Sequence, residues 1–341
     1  MRVLVVMNFG ADPATPQRGR WVIDQVEALR EGGLEVDLFS FRPGKDQYLP
    51  ATRKIRRILK ETRYDLVHAH YGLAGWCAQL AGAAPLVVTF HGTDVRHRVV
   101  GRMSRVLTRR IALVAGASKA LFEEEAGRPG LPLPEGRSAV LPCGADLSRF
   151  GRIDRKEARR ELGLDPETPF LFFPADPGRP EKRFDRAREV ADLAGAELLS
   201  GGGIEPDLMP LWMNAASAVL VTSDYEGFGL ACLEAMACDV PVLSTPVGIA
   251  PHALRGLDRS LCADFRPKPW ADFASTLISE ADPRTDGRPR AEALSARRMA
   301  DRVLMAYRDL LGEGADQALS ISANSGGARV SGVDLGNDGV S

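Results

Sequence analysis

The stretch Ser223-Asp-Tyr-Glu-Gly-Phe-Gly-Leu-Ala-Cys-Leu-Glu-Ala-Met-Ala237 decides how this chain is read. Before it, Val219-Leu-Val-Thr222 reads as a short buried strand. Within it, Leu230 to Ala237 reads as the opening turns of a helix. Gly227 and Gly229 let the backbone turn sharply between the two. Such a turn presents a helix N-terminus, with unpaired leading amides and the positive end of the dipole. A phosphate binds there without further help. Two carboxylates flank the turn, Glu226 on the loop and Glu234 in the helix. Carboxylates are poor phosphate ligands and good acceptors for sugar hydroxyls. The combination points to a nucleotide-sugar pocket.

On either side of this turn, strands and helices alternate. Apolar, β-rich runs at 2–7, 35–41, 66–70, 86–90, 112–117 and 138–141 predict strands. Helical stretches at 20–31, 52–62, 74–81 and 103–110 separate them. Buried strands alternating with helices imply a parallel sheet covered on both faces. A charged helix at 155–162 reads as the link. Phe170-Leu-Phe-Phe-Pro174 then opens a second series at 181–194, 196–200, 209–216, 218–222, 229–237 and 242–244. The fold class is therefore α/β, with two doubly wound, Rossmann-like domains facing a central cleft. Ligands of such sheets bind beyond the carboxyl ends of the strands.

Glu226-x₇-Glu234, followed by Pro241-Val-Leu-Ser-Thr-Pro-Val-Gly248, resembles the donor-site signature of retaining family 4 glycosyltransferases of the GT-B fold. The resemblance implies an acceptor-side domain at 1–152 and a nucleotide-sugar-binding domain at 153–296. It also implies a helix at 297–311 that crosses back to the first domain. Residues 312–341 are poor in apolar side chains and are expected to be disordered. The second domain is shorter than in relatives by about one βα unit.

The same resemblance gives roles to further segments. Phe90-His-Gly-Thr-Asp94 is similar to the family's His-Gly-x-Asp segment, which puts His91 at the transferred sugar and Asp94 on the acceptor side. Val67-His-Ala-His-Tyr71 ends the preceding strand and makes His70 a cleft-wall residue. His-x-His can bind metal, but no third ligand is evident and no metal is expected. The loop 8–19 after the first strand brings Gly19 toward the donor phosphate and Arg18 toward the acceptor. Leu141-Pro-Cys-Gly-Ala-Asp-Leu-Ser-Arg-Phe150 resembles the domain-junction segment, with Cys143 where Asn is usual and the Gly144 backbone at the cleft. In Pro174-Ala-Asp-Pro-Gly-Arg-Pro-Glu-Lys-Arg183, Lys182 matches the family Lys that neutralises the diphosphate. Asp176 stands where an Arg is usual, so Arg179 or Arg183 would supply the guanidinium.

These residues assemble into one expectation. Glu234 holds the ribose hydroxyls, and Glu226 holds the transferred sugar. The amides of Phe228, Gly229 and Leu230 hold sugar and phosphate oxygens. Lys182 and Arg179 neutralise the leaving diphosphate, with no cofactor. The reaction would move a hexose-type sugar to a carbohydrate or lipid-linked hydroxyl, in cell-envelope polysaccharide or glycolipid synthesis. A sugar-nucleotide epimerase of the same architecture is the alternative enzyme. A non-catalytic sugar-nucleotide-binding protein is the alternative outside enzymology. A nicotinamide enzyme lacks its G-x-G-x-x-G fingerprint.

Composition narrows the partners. The 341 residues carry a net charge of −1, so no global field points to nucleic acid. Five scattered cysteines without a Cys-x-x-Cys pair fit a reducing cytoplasm. The N-terminal apolar run is one strand long and lacks the features of a signal peptide. The cationic helix Arg53-Lys-Ile-Arg-Arg-Ile-Leu-Lys60 and the arginines from Arg96 to Arg110 allow peripheral contact with an anionic membrane, against the plainer reading of a solvated face.

Overall fold

The computed structural model describes residues 1–10, 18–123 and 129–312. The expected tail lies outside the described residues apart from Gly312, as does most of the loop after the first strand. The first half runs β1 (Arg2–Met7), α1 (Arg20–Glu31), β2 (Glu35–Ser40), α2 (Tyr48–Glu61), β3 (Leu66–His70), α3 (Gly72–Ala81), β4 (Leu86–Phe90), α4 (Thr93–Arg96), α5 (Arg98–Leu107), β5 (Leu113–Gly116) and β6 (Ser138–Val140). The second runs α6 (Arg155–Glu161), β7 (Phe170–Phe173), α7 (Phe184–Ala194), β8 (Glu197–Ser200), α8 (Met209–Ala215), β9 (Ala218–Val221), α9 (Leu230–Ala237), β10 (Val242–Ser244), α10 (Ala250–Ala253), β11 (Leu261–Cys262), α11 (Pro267–Ser279), α12 (Arg288–Glu292) and α13 (Ala296–Leu311).

Two parallel sheets result, of six and five strands. The first has the order β2-β1-β3-β4-β5-β6, and the second, read from its other edge, β8-β7-β9-β10-β11. Both therefore step outward once and then reverse past the starting strand. The reversal is a topological switch point, where the loops leaving two neighbouring strands splay apart and open a crevice. In the first sheet that point lies between β1 and β3, beside His70. In the second it lies between β7 and β9, between the Lys182 loop and the Glu226 turn. Sheet topology thus explains why the chemistry-bearing residues collect at strand ends.

The central strands β3, β4, β5, β7, β9 and β10 are buried on both faces, as is β1 after its first residue, which is why most of them read as apolar runs. On one face of the first sheet, Val3, Val5 and Met7 pack with Val22, Val26 and Leu29 of α1. Ala300, Val303 and Tyr307 of α13 join the same cluster. The last helix therefore packs on the first domain, although its chain follows the second. Burying residues such as Val303 contributes about 1.5–3 kcal/mol each, enough to hold the crossover in place.

Some boundaries differ from the sequence reading, for local reasons. Helix α5 begins five residues earlier than expected because the His97 ring accepts the amides of Val99 and Val100. Helix α2 begins before Thr52 because Pro50 lies in its first turn, where a missing N–H costs nothing. Helix α11 was not read at all. Its stripe of Trp270, Ala271, Ala274 and Leu277 covers the outer face of the second sheet.

Candidate active site in the cleft

Two loops of the second domain are joined at its switch point. Buried Thr222 donates its hydroxyl toward the carbonyls of Lys182, at 3.1 Å, and Arg183, at 2.9 Å. The Asp224 amide donates to Glu181 at 2.9 Å. These bonds set the Lys182 side chain beside Glu226, with Nζ 2.6 and 2.8 Å from the two carboxylate oxygens. The Ser223 hydroxyl donates to the same carboxylate at 2.7 Å. Both charged side chains are mostly enclosed, with 15% and 14% of their surface exposed. Behind them α9 starts at Leu230. Gly229 precedes it in the left-handed conformation, φ 98°. The amides of Phe228, Gly229 and Leu230 thus lie at a helix start beside a cation and a carboxylate.

Glu234 lies one turn into α9. Burial pushes its carboxyl up to about 8, while Arg149 pulls it down and Asp24 pushes it further up. Arg149 donates to Asp24 at 3.1 Å and approaches Asp207 at 4.0 Å. Arg20 holds the other Asp24 oxygen at 2.7 Å. The Nε and Nη1 atoms of Arg149 are buried without a hydrogen-bond partner among the described residues. Arg149, Asp24, Arg20 and Asp207 were not singled out in the sequence. Arg149 lies inside the junction segment quoted above, but nothing local says that it returns to face α9. Asp24 is a helical acid like many others until α1 is placed against the junction.

On the facing wall, His91 begins the loop after β4. Its Nε2 lies 3.0 Å from Nδ1 of His70, and the rings stack with centroids 5.2 Å apart. Trp21 of α1 packs against the His91 ring. His70 is fully buried behind His91 and does not itself line the cleft. Its Nε2 has no hydrogen-bond partner among the described residues. Orphaned buried N–H groups are rarer than orphaned acceptors. We therefore assign the His70 proton to Nδ1, donating to His91, which leaves the His91 proton on Nδ1. Burial pushes His91 down to about 4, so the ring is neutral at physiological pH. His68 is pushed down to about 3 by burial and then by His91. Its nitrogens lie 2.7 Å from the Tyr307 and Thr89 hydroxyls, which ties the crossover helix to the sheet.

Several expected roles change in the folded chain. Asp94 does not offer a free oxygen to an acceptor. It is fully buried and accepts the amides of Gly72, His91 and Gly92 at 2.9, 3.0 and 2.9 Å, so it shapes the histidine loop. Arg179 turns outward onto Glu181, at 2.9 and 2.6 Å, because that carboxylate shares its turn. Arg183 is taken by Asp185 and Asp224. Asp176 is exposed and accepts the Gly178 amide. Lys182 alone of the four reaches Glu226. Gly144 packs against the backbone of Ser295 and Ala296 at the start of α13. Gly19, φ 84°, caps α1 over Phe9, and exposed Arg18 lies above the Phe9 ring.

The two walls touch. A Cβ on Gly227 would overlap the His91 carbonyl, and a Cβ on Gly92, φ 125°, would come within 3.1 Å of the Gly227 backbone. The Arg96 guanidinium lies over the Tyr225 ring across the same seam. Glycine is required at both positions because backbone meets backbone there. A surface groove of about 730 Å³, at the start of α13 beside Leu147 and Arg298, contains none of these residues. Chemistry rather than size identifies the site.

Comparison with known proteins places this geometry. Residues 34–149 match the model of Glycosyltransferase Family 4, and residues 178–292 match that of Glycosyl transferases group 1. The D-inositol 3-phosphate glycosyltransferase of Actinosynnema mirum is 32% identical over 276 residues, covering 63% of this chain and 64% of that protein. That of Mycolicibacterium gilvum is 30% identical over 325 residues, covering 79% of this chain and 71% of that protein. Among solved structures, sucrose-phosphate synthase from Thermosynechococcus elongatus superposes with a TM-score of 0.67 at 19% identity, covering 92% and 100% of the two chains. The Anabaena protein HepE, in complex with UDP and glucose, gives 0.64 at 17%, covering 89% and 98%. Paired switch-point crevices, a Glu-x₇-Glu turn and a returning last helix agree with those likenesses, and the chain belongs to the family 4 glycosyltransferases of the GT-B fold.

Proposed function

We propose that this protein is a retaining glycosyltransferase that uses a nucleoside-diphosphate sugar. The observation that carries the reading is the contact of Gly227 with the His91 carbonyl. It brings an acid–lysine pair, a helix start and a neutral histidine to one point, from both domains.

Lys182 neutralises Glu226. A bound donor would exchange these partners. The Lys182 ammonium would turn to the diphosphate, joined by the amides at the start of α9, and Glu226 would accept sugar hydroxyls. Charge builds on the diphosphate as the glycosidic bond breaks, and fixed donors stabilise it without a metal. Charged hydrogen bonds contribute about 1.5–3 kcal/mol each. Ribose hydroxyls would donate to Glu234 and favour its ionised form. His91, neutral and with its proton on Nδ1, would hydrogen-bond the sugar or the acceptor. With its oxygens given to the Ser223 hydroxyl and, in this reading, to the sugar hydroxyls, Glu226 would act as a binding group and not as a covalent nucleophile. Front-face attack, with the leaving phosphate taking the acceptor proton, gives retention. The acceptor is a hydroxyl compound, carbohydrate or lipid-linked, of the kind used in cell-envelope synthesis. Closure of the walls excludes water, the competing acceptor.

The test is a screen of nucleoside-diphosphate sugars by thermal shift, followed by release of nucleoside diphosphate with and without acceptor pools. Acceptor-dependent release that Glu226→Ala abolishes supports the reading. Release of diphosphate without any acceptor would favour the epimerase alternative, and binding without turnover the non-catalytic one.

A further inference from the structure

The exposed side of α5 is unlike the rest of the surface. Residues 95 to 122 contain no Asp or Glu and hold Arg96, Arg98, Arg102, Arg105, Arg109, Arg110 and Lys119. In a chain of net charge −1 that is a strong local excess. Gly101, Ser104 and Leu107 face inward. Val99, Met103 and Val106, at helical spacing, are 59%, 40% and 48% exposed. The neighbouring helix α3 adds Leu80, 60% exposed, and Arg56 of α2 reaches over to the Leu80 carbonyl. Trp76 of α3 donates to the Met103 carbonyl, and Arg110 lies over the Trp76 ring. One face thus combines an apolar row with a rim of exposed arginines.

We propose that this face docks on an anionic lipid bilayer. An amphipathic helix of this kind lies in the membrane interface, its apolar row among the acyl chains and its cations at the head groups. Arginine stems reach the head-group level while their methylenes lie along apolar surface. The cationic helix α2, named beside these arginines from the sequence, is not the main element. Its seam faces the core: Ile55 is fully buried, and Ile58 and Leu59 pack against the same cluster. A charged face that binds nucleic acid has no use for a protruding Val-Met-Val row. None of the described helices is long and apolar enough to cross a membrane, so contact would be peripheral. Helix α5 starts seven residues after His91, through the single turn of α4. A docked protein therefore holds its acceptor-side wall close to the lipid, where a lipid-linked acceptor would lie.

Vesicle flotation of the full chain tests this independently of any turnover. The vesicles are phosphatidylcholine alone, and equal parts phosphatidylcholine and phosphatidylglycerol. Flotation with the anionic vesicles and not with the neutral ones is expected. The triple change Val99→Ser, Met103→Ser, Val106→Ser should abolish it. The triple change Arg98→Ala, Arg102→Ala, Arg109→Ala should weaken binding about a hundredfold, at about fivefold per cation. All six side chains are exposed, so the unfolding midpoint and nucleotide-sugar binding should stay at the parent values. The proposal is overturned if the parent does not float on anionic vesicles. It is equally overturned if the serine variant floats as well as the parent, or if an acidic polypeptide or DNA displaces the protein from vesicles at equal charge.

Discussion

The two walls of the cleft are built on the same strand order and reach their chemistry by opposite means. On the donor-side wall the groups are charged, and they lie within a short stretch of chain. Ser223, Glu226, Gly229 and Glu234 belong to one turn, and Lys182 is fixed to it by Thr222. On the facing wall the groups are neutral, buried or half-buried, and drawn from several segments. His68 and His70 come from β3, His91 from the end of β4, Trp21 from α1 and Tyr307 from the returning helix. In the proposed function the donor-side wall would supply charge where charge develops. The acceptor-side wall supplies shape and a fixed tautomer in surroundings too dry for a protonated imidazole. A local motif can specify the first, whereas only the completed tertiary structure can specify the second.

This contrast can be broken most sharply at Glu226. Glu226→Gln keeps the size and an acceptor for Ser223 but loses the charge that binds Lys182 and, in our reading, the sugar. Transfer should fall by about 10²–10³ while the unfolding midpoint stays near the parent. A rate within a factor of two of the parent would remove the donor-side wall from the chemistry. Lys182→Ala should come next. Losing one charged contact of about 1.5–3 kcal/mol predicts a tenfold to hundredfold loss of kcat/KM.

The acceptor-side wall should give smaller effects with a different pattern. His70→Phe removes the hydrogen bond that sets the His91 ring. A roughly threefold to tenfold fall in kcat is expected, with nucleotide-sugar affinity unchanged. His70→Asn, whose side-chain N–H can take the place of Nδ1–H, should recover part of the rate. Equal damage by both substitutions would reduce His70 to a packing residue.

Much of the fold was legible because parallel strands buried on both faces leave unbroken apolar runs, as in β7 and β9 and in β1 after Arg2. The Glu226 turn was legible because its glycines and carboxylates are neighbours in sequence. Arg149 and Asp24 were not, because they are 125 positions apart and meet only after the junction folds over α1. Asp94 was placed by type and neighbourhood, but three amide bonds absorb its carboxylate and turn a candidate ligand into a loop anchor. Arg179 was misplaced for a similar reason, since Glu181 satisfies it before it can reach the cleft.

The smallest effect concerns pH and separates the walls once more. Glu234 holds its proton up to about 8, above the free carboxylate range. Its contribution to stability is therefore present in acid and is lost as pH rises through about 8. His68 and His91 are pushed down to about 3 and about 4, so their contribution is present above the free imidazole range and is lost as pH falls toward those values. The unfolding midpoint of the ligand-free protein should peak near neutrality. Glu234→Gln should flatten the alkaline limb and leave the acid limb in place. An unchanged alkaline limb would show that Glu234 ionises freely.

The central claim is that Glu226 grips the sugar and Glu234 the nucleoside of one donor. Calorimetric titration of the parent, Glu226→Ala and Glu234→Ala with a bound nucleotide sugar and with its nucleoside diphosphate alone tests it most directly. We predict that Glu234→Ala weakens both ligands alike, whereas Glu226→Ala weakens the nucleotide sugar and leaves the diphosphate unaffected. Equal affinities for the nucleotide sugar in all three proteins would contradict the account.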